Sequence, residues 1–129
     1  MGCKTCHQQA LKYAGSLPSD DPFYLASEEG DNLYLNLIDP PVPLFKLASF
    51  EHFLKFAGDR YSKDESLLIH CNQGFSRAPS LALLFLAKRL GAIGNGSFNL
   101  ARSDFESLYP EYQPGKGIET FLSEHWREL

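Results

Sequence analysis

The sequence predicts an α/β fold, a mostly parallel central sheet flanked by helices in a single domain spanning residues 1–129. Three observations carry this. Short apolar runs alternate with segments of helical periodicity along the chain, as strands joined by crossover helices do. The chain has 129 residues, 43% of them hydrophobic and 13% aromatic, enough for one core that needs neither metal nor disulfides. No internal repeat, low-complexity tract or linker divides it.

The elements follow in order. Gln8 to Tyr13 reads as a short helix closed by Gly15 and Pro18. Residues 15–32, rich in Gly, Ser, Pro, Asp and Glu, read as loop with a short turn around Tyr24 and Ala26. Leu33 to Ile38 is a strand candidate, stopped by Asp39-Pro40-Pro41-Val42-Pro43, because prolines at that density cannot continue a ladder. Between Lys46 and Ala57 the residues Leu47, Phe50, Phe53, Leu54 and Ala57 recur at helical spacing, with Gly58 as a stop. Ser66 to His70 is an apolar run expected to form a buried strand. A helix from Arg77 to Leu90 is apolar almost all round, as a helix in the middle of a domain would be. Lys88 and Arg89 lie in its last turn, where the helix dipole favours cations. Two more helices are expected over Leu100 to Leu108 and Ile118 to Arg127.

A formal charge of −4 argues against a general nucleic-acid binder and against adhesion to anionic membranes. No stretch reaches the roughly 18 apolar residues of a membrane-spanning helix, and the first ten residues lack the apolar core of a secretory signal. Three cysteines make no disulfide framework, so a reducing, cytoplasmic setting is expected. Cys3-Lys4-Thr5-Cys6-His7 matches the C-x-x-C-H pattern of covalent haem attachment. That reading also wants an export signal and a distal methionine, and the only Met is the first residue. A redox pair or two unconnected thiols fit the rest of the chain better.

The chemistry concentrates in His70-Cys71-Asn72-Gln73-Gly74-Phe75-Ser76-Arg77, between the expected buried strand and the buried helix. A tight turn from strand into helix aims successive backbone N–H groups into one concavity, and the helix dipole adds positive potential. Asn72, Gln73, Gly74, Phe75 and Ser76 would supply that cradle, Gly74 permitting unusual backbone angles. Arg77 would hold two phosphate oxygens with its planar fork. Pro79 falls in the first helical turn, where the helix needs no N–H. Thiols at helix N-termini beside arginine ionise more readily than free cysteine and become good nucleophiles at neutral pH. One loop would thus bind a phosphate dianion and attack it through Cys71.

At these residues the chain resembles the protein tyrosine phosphatase superfamily, whose signature is His-Cys, five residues, Arg. The string His70-Cys71-x-x-Gly74-x-Ser76-Arg77 is similar to its dual-specificity branch, and the resemblance runs from about residue 32 to residue 126. The Ser-Arg pair, the mid-chain position and the long apolar helix fit that branch better than rhodanese-like or low-molecular-weight phosphatases. The resemblance implies a dual-specificity-phosphatase-like fold and an upstream aspartate acting as general acid. Asp39, at the head of the proline-rich loop, stands where such enzymes place it, and a carboxylic acid there would protonate a leaving alkoxide or phenoxide. It also implies that His70 orders the start of the loop; the alternative is a strand-end histidine. Phe75 points either to the pocket rim or into the core. His7, His52 and His125 read as surface or interface residues.

Three departures from the family pattern stand out. The family often has Ser or Thr after the arginine, where its hydroxyl helps the cysteine leave; here it is Ala78. A Pro-Asn pair commonly braces the phosphate loop; here Gln113-Pro114-Gly115-Lys116 replaces it. The N-terminal region is short, so an edge strand is expected to be missing.

The expected function is hydrolysis of phosphate monoesters through a phosphocysteine, on phosphotyrosine, phosphoserine or phosphothreonine in proteins. Phosphate, vanadate and sulfate-type anions would occupy the loop. No metal or other cofactor is implied, since Arg77 and the amides supply charge stabilisation. Two alternatives stand beside it. One is a phosphate-binding module with little turnover, stalled at Ala78. The other is a phosphatase of phosphoinositides or RNA 5′-phosphates, which the uncharged Asn72, Gln73 and Phe75 disfavour.

Overall fold

A computed structural model of the chain describes residues 4–129. The described residues form five α-helices and one small sheet: α1 (Lys4–Leu11), β1 (Ala26–Glu29), β2 (Asn32–Leu35), α2 (Leu47–Tyr61), α3 (Arg77–Lys88), α4 (Phe98–Leu108) and α5 (Lys116–His125), the last followed by a 3₁₀ turn (Trp126–Glu128). None of the helices is long and apolar enough to cross a membrane.

The mostly parallel central sheet is not there. Among the described residues the sheet has two strands, β1 and β2, and they run antiparallel, with Ala26 opposite Leu35 and Glu29 opposite Asn32. Gly30, at φ +59°, opens the two-residue turn between them, a position that favours glycine. Ser66 to His70, expected as a buried strand, lies outside the sheet. Its side chains alternate, Leu67 and Ile69 half-buried against the core and Leu68 77% exposed. The physical reason is a shortage of strands. A parallel sheet covered on both faces needs several neighbouring strands, and among the described residues only β1 and β2 pair. The chain therefore buries its apolar surface helix against helix, α2 packing on α3 and α3 on α4.

That core is continuous. Leu33 and Leu35 of β2, Phe50, Phe53 and Leu54 of α2, Leu83 and Leu84 of α3, and Ile118 and Leu122 of α5 are almost wholly buried. Phe50 stacks on Phe121 at 5.1 Å between ring centroids. α2 runs through Gly58 instead of stopping there, because a further turn lets Tyr61 pack edge-on against Phe85 of α3. Buried α3 matches its all-round apolar sequence, and Lys88 in its last turn donates to the Trp126 carbonyl and lies 4.4 Å from that indole ring.

α1 begins earlier than its sequence indicates, at Lys4, and it is docked by His7. This histidine is fully buried and not a surface residue. Its Nε2 donates to the Phe23 carbonyl (2.8 Å) and its Nδ1 accepts from the Tyr13 hydroxyl (2.7 Å). Burial lowers its pKa below the ordinary value, consistent with a neutral ring whose two nitrogens are both committed, which leaves neither for a haem iron. Cys3 lies outside the described residues. His52 pairs with Glu28 and His125 with Glu128 near the surface.

Candidate phosphate loop

The loop from Cys71 to Arg77 leads into α3, with Ser76 in the N-cap position. Gly74 turns the chain at φ +78°, in the region where only glycine is free of Cβ strain. The turn folds the backbone onto the thiol, and the Gly74 N–H lies 3.3 Å from Cys71 Sγ. Cys71 is half-buried, whereas His70, Asn72 and Gln73 are exposed. Phe75 is 45% exposed, so its ring faces outward instead of entering the core.

An N-cap serine ordinarily accepts from an amide of its own helix. Ser76 does not. Its hydroxyl accepts from the Gly115 N–H at 2.8 Å, and no side chain caps the start of α3. The orphan amides of the first turn therefore stay available to an anion. Pro79, third in the helix, removes a donor that the helix does not need.

Arg77 is anchored at one end only. Its Nη1 donates to the Leu37 carbonyl (2.9 Å), which also accepts the Lys4 N–H of α1 (3.1 Å). Its Nε is buried and has no hydrogen-bond partner among the described residues. A charged donor in that condition costs about 1–3 kcal/mol or more, and such groups mark strain, catalysis or an ion site.

Asp39 is exposed and packs on Gly115, whose N–H bonds to Ser76 of the loop. The loop that follows β2 packs against the start of α5, where two glycines make room. A Cβ on Gly115 would overlap the Asp39 carboxylate, and one on Gly117 would overlap the carbonyl oxygens of Pro40 and Val42. Gly115 thus touches Asp39 with its Cα face and donates its N–H to Ser76. Arg77, for its part, holds the carbonyl of Leu37, two residues before Asp39. The candidate acid, the arginine and the helix end of the loop are brought together through Leu37 and Gly115.

Tyr109, which the sequence did not single out, and Gln113, in the segment that replaces the Pro-Asn brace, both bond to the loop. Tyr109 donates its hydroxyl hydrogen to the Gly74 carbonyl (2.9 Å), and the Gln113 N–H donates to the Phe75 carbonyl (2.8 Å). One turn into α3, buried Ser80 pairs with the Tyr112 hydroxyl at 2.8 Å. Burial pushes the Tyr112 phenol up to about 12, against the lowering effect of its bond to Ser80, so the hydroxyl stays protonated at any ordinary pH. A cavity of about 150 Å³ lies beside this brace, lined by Ile69, Gly74, Pro79, Phe105 and Tyr109 among others. Gln113 and Gly115 thus contact the loop through backbone amides, in the segment that replaces the Pro-Asn pair, and Gly115 has no room for a side chain.

Among the described residues, no group of three or more His, Cys, Asp and Glu is placed to hold a metal ion. No family model matches this chain, and no match is found among curated proteins.

Proposed function

We propose that this chain hydrolyses phosphate monoesters, with phosphorylated tyrosine, serine or threonine in proteins as substrates, through a phosphocysteine on Cys71. The observation that carries the reading is the Arg77 guanidinium, tethered at Nη1 with a buried, unsatisfied Nε, in a loop that also holds a half-buried thiol and an uncapped helix start. A dianion is the ligand that would satisfy all three at once.

In the first step Cys71 Sγ attacks phosphorus, the S–P bond forms and the ester O–P bond breaks. Asp39, as the carboxylic acid, gives its proton to the departing oxygen. In the second step water attacks the phosphocysteine, Asp39 takes up its proton, and the thiolate leaves with inorganic phosphate as the product. Arg77 and the loop amides neutralise charge on the equatorial oxygens in both steps. Ser76 Oγ accepts from Gly115 and so still has its own hydrogen to donate. That would aid departure of the thiolate where Ala78 has no hydroxyl. The exposed Phe75 ring offers an apolar rim to an aryl ester. A reducing, cytoplasmic location belongs to the same proposal, since the mechanism requires a free thiol.

The test is release of phosphate from an aryl phosphate and from phosphopeptides by the full chain and by Cys71→Ser. The expected result is turnover by the wild type and none by the variant, which should keep its affinity for phosphate or vanadate. Retained activity in Cys71→Ser would overturn the assignment.

A further inference from the structure

We infer that Tyr109 is a positioning residue for the phosphate loop, setting the direction of the Phe75 amide through the Gly74 carbonyl. The inference rests on the phosphate reading above and adds a residue to it. All peptide bonds among the described residues are trans, and in a trans peptide the C=O and the following N–H point in opposite directions within one rigid plane. Tyr109 pins the Gly74 carbonyl from behind at 2.9 Å, so the Phe75 N–H is aimed away from the brace. The Gln113 N–H pins the Phe75 carbonyl at 2.8 Å, and by the same geometry aims the Ser76 N–H away. Two successive peptide planes held from one side present two successive amides on the other, as an anion-binding nest requires.

The tether itself is well placed for the task. Tyr109 is the C-cap of α4, its N–H bonded to the Phe105 carbonyl and its ring 6.0 Å from that of Phe105. Helix end and aromatic neighbour thus fix where the hydroxyl sits. A Cβ at Gly74 would lie 3.7 Å from the Tyr109 hydroxyl, an ordinary contact, so it is the φ of +78° that calls for glycine there. Tyr109 is itself 36% exposed, so removing its oxygen leaves the core intact.

Tyr109→Phe keeps the ring and deletes the one hydrogen bond. The experiment titrates inorganic phosphate into full-length wild type and variant, following the Phe75 backbone amide by NMR and thermal unfolding in parallel. The expected result is phosphate binding weakened about 3- to 10-fold, the range of one neutral hydrogen bond, with a smaller response at the Phe75 amide and an unchanged unfolding midpoint. Equal affinity and an equal Phe75 response in both proteins would refute the positioning role while leaving the phosphate site standing. A wild type that binds no phosphate would sink the site itself, and this inference with it.

Discussion

Downstream of Gly74, the loop is tied to residues 109–115 by hydrogen bonds at Gly74, Phe75 and Ser76, and Ser80 is tied to Tyr112 one turn later. Upstream, Ser66 to His70 runs outside the sheet and contributes to the core through the half-buried side chains of Leu67 and Ile69. The difference separates two jobs. Polar bonds of fixed direction hold the half of the loop that, in the proposed function, presents amides and guanidinium at set angles. Apolar contact, which has no direction, contributes on the upstream side through Leu67 and Ile69. Perturbations on the braced side should therefore reach the chemistry, and those upstream should not.

The largest expected effect is at Asp39, which the brace holds through Gly115. Asp39→Ala should slow hydrolysis of phosphopeptides by about 10²–10⁴-fold, the usual worth of general acid help. An activated nitrophenyl ester, whose leaving group needs little protonation, should lose much less. The pH–rate profile should also lose its fall on the basic side. Equal losses on both substrates with an unchanged profile would assign the acid elsewhere.

Next comes Arg77→Lys. A point charge would replace a fork that is tethered to Leu37 at one nitrogen and buried without a partner at Nε. Phosphate affinity and kcat/KM should each fall by about 10²-fold, on the scale of one or two charge-assisted hydrogen bonds. Calorimetric titration and steady-state kinetics read these directly.

Stability should show the same asymmetry on a smaller scale. Tyr112→Phe strands the buried Ser80 hydroxyl and should cost about 1–3 kcal/mol. Leu68→Ser, at a side chain 77% exposed, should stay within about 0.5 kcal/mol. Urea denaturation of the two variants beside wild type tests the pair; comparable losses would mean that the upstream segment is held more firmly than its burial indicates.

Much of this could be read in the sequence and some could not. The helix periodicity of Leu47 to Ala57 and the apolar Arg77 to Leu90 stretch mark α2 and α3, because a core-facing helix writes its face into the sequence. The turn at Gly74 is legible too, since a φ of +78° favours glycine there. β1 does not: Ala26-Ser27-Glu28-Glu29 has little strand propensity and is a strand only through its pairing with β2. Ser66 to His70 fails in the opposite sense, having strand composition without a place in the sheet. Tyr109 and Tyr112 act across 35 and 32 residues of chain, and His7 across 16, distances over which no local pattern speaks.

The smallest expected effect is a pH dependence at α1. His7 has its pKa lowered in the folded chain by burial, so the folded state binds fewer protons there than the unfolded state does. Stability from this group should be complete above the ordinary histidine value of about 6.5 and decline as pH falls below it. Urea midpoints of wild type and His7→Gln between pH 7.5 and 5 should show the decline in the wild type and a shallower one in the variant. Parallel curves would remove His7 as the source.

The covalent intermediate is the most direct test of the whole account. Wild-type protein mixed with an aryl phosphate and quenched in acid within milliseconds should carry one phosphoryl group, and peptide mapping should place it on Cys71. Asp39→Ala, still loading the cysteine from the activated ester but slowed in releasing it, should accumulate more. Finding no phosphoryl group on Cys71 under conditions where phosphate is being released, or finding it on another residue, would contradict the mechanism.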